Sequence, residues 1–203
     1  MSMKAFSTCG ALLSYIILGV LCLHIPAADA AVSAESGSFV KCTSSSCTNS
    51  ISMGFQPKAV IFYWTTDTSI TAFSTADGSS GVGMSDGTKV ASVMSYSLDN
   101  DASGTSAEKN LMSTTSAITI TVNGSTITAS ATVALTSTGF DVNWGSTNTS
   151  GAQYIFYYAL GGDDITDAVV REYLLPVGVA TYSASDSQLT FQPDFLFFIN
   201  AEQ

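Results

Sequence analysis

The sequence predicts an all-β fold, a β-sandwich of jelly-roll type, on three observations. Short runs of β-branched and aromatic residues recur along the chain, clusters of Gly, Asn, Asp and Ser separate them at roughly 8–12-residue spacing, and no stretch has a convincing amphipathic helical period. Its 203 residues suffice for one domain with a proper core. Only 11% of residues are charged, well below the roughly one quarter of an ordinary soluble domain, a balance that suits secreted or virion-type β proteins. The net charge of −10 and the scatter of Lys41, Lys58, Lys89, Lys109 and Arg171 exclude nucleic acid as a partner, because phosphate binding needs clustered cations.

Residues 1–30 read as a signal peptide: Lys4 opens a short n-region, an apolar stretch runs from about Ala11 to Ile25, and Ala28-Asp29-Ala30 is an A-x-A cleavage site. The mature protein then begins at Ala31 in an extracellular, secreted setting. Ser14 and Tyr15 interrupt the apolar stretch, which is short of the roughly 20 residues of a bilayer-spanning helix, so no permanent membrane span is expected. A rival reading cuts after Gly10, as in a prepilin, and keeps the apolar helix as a filament core. Removal of the signal removes His24, Cys9 and Cys22. Cys42 and Cys47 remain, and in an oxidising compartment their Cys-x4-Cys spacing in a Ser-rich loop is most simply a local disulfide.

Residues 31–52 are mostly Ser, Gly, Thr and Asn, with Ser38-Phe39-Val40-Lys41 as the one strand-like island; they are expected to form an exposed N-terminal arm ending in an edge strand. Residues 53–203 are expected to form the single sandwich domain. Within it, residues 58–65 form a strand, and residues 67–86 alternate β-prone pieces such as residues 70–73 with turns at Gly78, Gly81, Gly83 and Gly87. Residues 89–96 read as the next strand. Asn123-Gly124 between two alternating runs is a strong hairpin cue, and a two-residue turn would set Ile120 opposite Ile127 and Ile118 opposite Ala129. Threonines then occupy the other face. Phe140, Val142 and Trp144 alternate in a further strand, and residues 153–160 are aromatic on both faces. Residues 165–175 are ambiguous between helix and strand, whereas 177–182 and 188–199 are strand-like.

One segment recurs. Phe55, Gln56, Pro57 and Phe62 reappear 136 residues later as Phe191, Gln192, Pro193 and Phe198. Each copy places a Phe-Gln-Pro turn before a run that resembles a strand buried on both faces, with the proline where a missing N–H breaks no ladder. Residues 186–203 are therefore a partial repeat, the opening of a second β unit. Its apolar run, Phe195, Leu196, Phe197, Phe198 and Ile199, is a candidate assembly strand, able to complete the sheet of a neighbouring copy.

Gly54-Phe55-Gln56-Pro57-Lys58-Ala59-Val60-Ile61-Phe62, the later Thr138-Gly139-Phe140-Asp141-Val142-Asn143-Trp144 and the close on Tyr158-Ala159-Leu160-Gly161-Gly162 together resemble a group of phage virion structural proteins. The resemblance spans about 130 residues by the order and spacing of its pieces. It implies an assembly subunit with no catalytic residues to carry over. The secretion signal is a departure from that group.

Catalysis finds no support in the residues. The mature chain has no histidine, its two thiols are expected to be joined, and no Gly-x-Ser-x-Gly elbow occurs. The acidic cluster Asp163, Asp164 and Asp167 reads first as turn aspartates. Asp99, Asp101 and Ser103, followed by Gly104, copy the first half of an EF-hand loop, but Asn110 stands where the bidentate glutamate belongs, so Ca²⁺ is at most a weak cofactor expectation. Asn123 and Asn148 head glycosylation sequons, the former explained equally well as a turn. The Tyr and Trp residues suit core packing before a sugar-stacking platform. The expectation is a secreted, non-enzymatic subunit that polymerises with copies of itself. The alternatives are a phage-type virion protein and a calcium-dependent module that binds surface glycans.

Overall fold

A computed structural model describes residues 31–65, 78–98, 107–121, 126–173 and 189–200. They form ten strands and no helix: β1 (Val32–Val40), β2 (Thr48–Ser52), β3 (Pro57–Thr65), β4 (Gly78–Ser85), β5 (Val90–Leu98), β6 (Ala107–Ser113), β7 (Ile118–Thr121), β8 (Ile127–Thr136), β9 (Gly139–Trp144) and β10 (Tyr154–Gly162). Two antiparallel sheets result, one in the order β1-β10-β3-β4-β5-β6 and the other β2-β9-β8-β7. The fold is an all-β sandwich. Consecutive strands stay together through β3–β6 and through β7–β9, so each sheet is built around a meander, and the chain passes between sheets only next to β2 and at the β6–β7 and β9–β10 connections. Among the described residues no helix is long and apolar enough to cross a membrane.

The core follows from strand alternation. Val60, Phe62 and Trp64 of β3 face Ile118 and Ile120 of β7, Val133 of β8 and Phe140, Val142 and Trp144 of β9 across one apolar cluster. Phe140 stands edge-on to both Phe62 and Tyr157, with ring centroids 5.7 and 5.2 Å apart. Each such pair adds about 0.5–1.5 kcal/mol beyond the area it buries.

Four expectations need correction. Residues 31–52 are not a free arm: β1 pairs along its whole length with β10, from Val32 opposite Gly162 to Val40 opposite Tyr154, and β2 joins the other sheet beside β9. Small polar residues concealed both strands, because an edge strand buries few side chains and so shows little hydrophobic period. Gly81 and Gly83 are not turn residues but lie within β4. A Cβ at Gly81 would enter the ring of Trp64 on the neighbouring strand, and one at Gly83 would strike the Ala117 carbonyl across the sandwich, so close packing selects glycine at both. Gly87 does mark a turn, at φ 83°, where Asp86 Oδ1 accepts hydrogen bonds from the Thr88 and Lys89 amides.

The third correction concerns the β7–β8 register. Ile120 pairs with Ala129 and Ile118 with Ala131, two residues beyond the predicted partners, with an irregularity between Ile120 and Thr121. A shift of two leaves every side chain on its expected face, so the core is filled as predicted. Residues 122–125, including the Asn-Gly pair, lie outside the described residues. The threonine face is buried as well, because β7 packs on β4 and β5: Thr119 and Ser92 hydroxyls lie 3.2 Å apart, and Ser79 donates to the Thr121 carbonyl.

Residues 163–173 have no regular structure. Val170 is buried and its amide donates to Asp86 Oδ2 at 2.7 Å, tying this segment to the β4–β5 turn. Residues 189–200, predicted as strand, are irregular too; residues 177–182 lie outside the described residues.

Candidate functional site

Cys42 and Cys47 form the expected disulfide, which closes a short loop between β1 and β2. That loop frames a polar cluster that the sequence did not announce. Lys41, 1% exposed, follows β1 directly. Its Nζ donates to Asn148 Oδ1 and, at 3.1 Å each, to the carbonyls of Cys42 and Ser150, while the Trp144 ring lies 5.2 Å away. An ammonium has three N–H donors, and all three find oxygen. Burial pushes the Lys41 pKa below its ordinary value of 10.5.

Asn148 completes the cluster from the β9–β10 connection. Its Nδ2 donates to the Cys42 carbonyl at 2.8 Å and the Ser44 carbonyl at 2.9 Å, with Cys47 Sγ at 3.3 Å. Asn49 braces the far side, where Oδ1 accepts from Trp144 Nε1 and the Cys42 amide. The cluster is a latch: it ties the end of β1, the disulfide loop and the β9–β10 connection through the Lys41 ammonium and the Asn148 amide.

Placement of the sequence candidates follows. The Asn148 side chain, which heads a sequon, is 3% exposed and its amide nitrogen is turned inward onto two carbonyls. A glycan on Nδ2 would displace the latch. Asn123, Asp99, Asp101 and Ser103 lie outside the described residues, and among the described residues no group of three His, Cys, Asp or Glu is arranged to hold a metal. Asp163, Asp164 and Asp167 are exposed, the first two in the turn that follows β10. A shallow groove beside them, lined in part by Lys58, Asp86 and Asp167, opens widely to solvent.

The repeat is where the structure is most informative. Pro57 opens β3, which lies between β10 and β4 and holds Val60 and Phe62 at 0% exposure. The equivalent positions after Pro193 are Leu196 and Phe198, and these are 60% and 76% exposed. Phe195 and Phe197 are exposed with them. One sequence pattern therefore occupies two environments: a central strand, and irregular backbone that no described strand pairs.

Among the described residues no strand pairs the outer edge of β1. β1 is the outer strand of the six-stranded sheet, nine residues long with no proline and one charged residue, Glu35. Glu35 accepts a hydrogen bond from Tyr157 Oη rather than guarding the edge. Natural edges are usually blunted by charge, proline or brevity. β1 uses none of the three. Compared with family models, with curated proteins and with solved structures, the chain matches none.

Proposed function

We propose that the protein is a secreted, non-enzymatic structural subunit that assembles with copies of itself into an extracellular filament or coat by strand donation. Residues 195–199 of one copy are the donor, and the free edge of β1 in the next copy is the acceptor. The observation that carries this reading is the contrast between Phe62, fully buried in β3, and its repeat counterpart Phe198, 76% exposed. A segment patterned for a doubly covered strand lacks a sheet within the described chain, and the sheet nearest to needing one ends in an unguarded strand. Residues 32–40, expected to be part of an exposed arm, are used by their own sheet as β1.

Donor and acceptor are different segments of the chain, so the contact is head-to-tail and propagates wherever its rotation does not close a ring. The A-x-A pattern at residues 28–30 supports export. The resemblance to phage virion proteins supports a second setting for the same role, a virion or tail subunit. Intact mass separates the two: a chain beginning at Ala31 belongs to export, and an uncleaved one to the virion. Negative-stain microscopy of the wild type beside Phe197→Asp/Phe198→Asp tests the assembly itself. Fibres in the wild type and their loss in the variant are expected. Undiminished fibres in the variant would overturn strand donation, and a wild type that stays monomeric would overturn assembly.

A further inference from the structure

The outward face of the six-stranded sheet carries two uncharged rows of side chains. Strand register fixes which side chains share it. One row runs across the whole sheet through Ser38, Phe156, Tyr63, Val82, Val93 and Met112. A parallel row passes through Ser36, Tyr158, Ile61, Met84 and Ala91. Phe156, Tyr63, Tyr158 and Met112 are exposed, and the Tyr63 and Phe156 rings touch with centroids 6.4 Å apart. Neither row contains an Asp, Glu, Lys or Arg, in a chain with 16 acidic and 6 basic residues.

We propose that this face docks against the same face of a second copy, pairing subunits back to back. The inference rests on the reading of the protein as a self-assembling subunit but names a contact distinct from strand donation. Charge selects the occupant. Two copies of a chain with net charge −10 repel wherever their acidic surfaces meet, and these two rows offer a contact free of that repulsion. A basic partner would instead be drawn to the acidic surface. Area agrees as well. Two rows about 7 Å apart, crossing strands about 4.8 Å apart, form an uncharged centre on the order of 400 Å², which fits within the ~800 Å² that each partner gives to a stable interface. Two sheet faces pack well at about 10 Å because their side chains interdigitate and no backbone group is stranded. An irregular segment laid flat on this face would leave its own N–H and C=O groups unpaired, so residues 195–199 suit an edge and not the face.

A contact of one face with itself closes as a dimer. Combined with head-to-tail strand donation it makes a fibre of two paired protofilaments. The test uses Phe198→Asp to silence fibre growth and sedimentation equilibrium to read the remaining association. That variant is expected to be dimeric. Adding Tyr63→Glu and Phe156→Glu, or separately Met112→Glu on the edge strand, is expected to raise the dimer dissociation constant at least ~10-fold with an unchanged circular dichroism spectrum. A monomeric Phe198→Asp protein, or a dimer indifferent to both sets of charges, would overturn the proposal. Dimers from a wild type that forms no fibres would uphold the face contact and remove strand donation; single, unpaired protofilaments would do the reverse.

Discussion

Lys41 Nζ and Asn148 Oδ1, 107 positions apart in sequence, meet in a buried hydrogen bond at the point where β1 gives way to the disulfide loop. The pair has unequal dependents. Lys41 satisfies three acceptors, while Asn148 satisfies Lys41 and the carbonyls of Cys42 and Ser44. Asn148→Ala leaves a buried cation short of an acceptor and the Ser44 carbonyl without its donor, while the Cys42 carbonyl keeps Lys41. Lys41→Met removes the buried charge and leaves only two neutral acceptors, Asn148 Oδ1 and the Ser150 carbonyl, without it. We expect Asn148→Ala to cost about 2–3 kcal/mol and Lys41→Met clearly less, read as midpoints in urea with an unchanged m-value. The reverse order would show that the ammonium contributes more than the amide that holds it.

The same lysine sets a pH dependence. Its folded pKa lies below 10.5, so in the window between that value and 10.5 the unfolded chain binds the extra proton and stability rises with pH. Tyr157 works in the other direction. Burial, then the charge of Glu35 and the hydrogen bond to it, raise the Tyr157 pKa above 10.0, so from about 10.0 upward the folded chain keeps a proton that the unfolded chain loses, and stability falls. Urea midpoints measured from pH 8 to 11 are expected to rise and then fall. Lys41→Met should abolish the rise, and Tyr157→Phe should soften the fall; a rise that persists without Lys41 would assign it to another group.

Two glycines of β4 explain why part of the fold was hidden in the sequence. Gly83 backs onto the Ala117 carbonyl and Gly81 onto the Trp64 ring, contacts made by residues 34 and 17 positions away. Gly83→Ala therefore needs the two sheets to move apart, and we expect a loss of about 2–3 kcal/mol or more. Gly54 has open space about its Cα and is the control, expected to accept alanine without measurable loss. Equal thermal shifts for the two variants would contradict the packing argument.

Legibility in the sequence tracked side-chain burial. β3, β9 and β10 carry alternating or continuous apolar runs whose pattern needs no partner to be recognised, and these were read directly. β1, β2 and β4 are rich in Ser, Gly and Asn, and β6 mixes Glu, Lys and Asn with Leu and Met; their strand character comes from backbone pairing and from close approach of distant residues, which leaves no period behind. The register of β7 on β8 was missed because the Asn-Gly pair suggested a turn that the pairing of Ile120 with Ala129 does not follow. The latch left only faint marks: a lysine beside a cysteine, and an asparagine disguised as a sequon.

The repeat offers the sharpest contrast between folding and association. Phe62 and Phe198 occupy equivalent positions in the two Phe-Gln-Pro segments, yet only Phe62 is buried, edge-on to Phe140 in the core. Phe62→Ala should leave a cavity and cost about 3–5 kcal/mol, which for a domain of this size lowers the melting temperature by roughly 6–20 °C. Phe198→Ala removes a side chain that the subunit itself leaves in water, so its melting temperature in dilute, unassembled protein should stay within about 1–2 °C of wild type. Under assembly conditions the order should invert in its effect: Phe198→Ala removes an anchor from the donated strand and slows fibre growth, whereas surviving folded Phe62→Ala still carries an intact donor. Differential scanning calorimetry on dilute protein and light scattering on concentrated protein separate the two effects. A melting temperature for Phe198→Ala that drops as far as that of Phe62→Ala would mean that residues 195–199 are built into their own subunit, and the donor would have to be sought elsewhere.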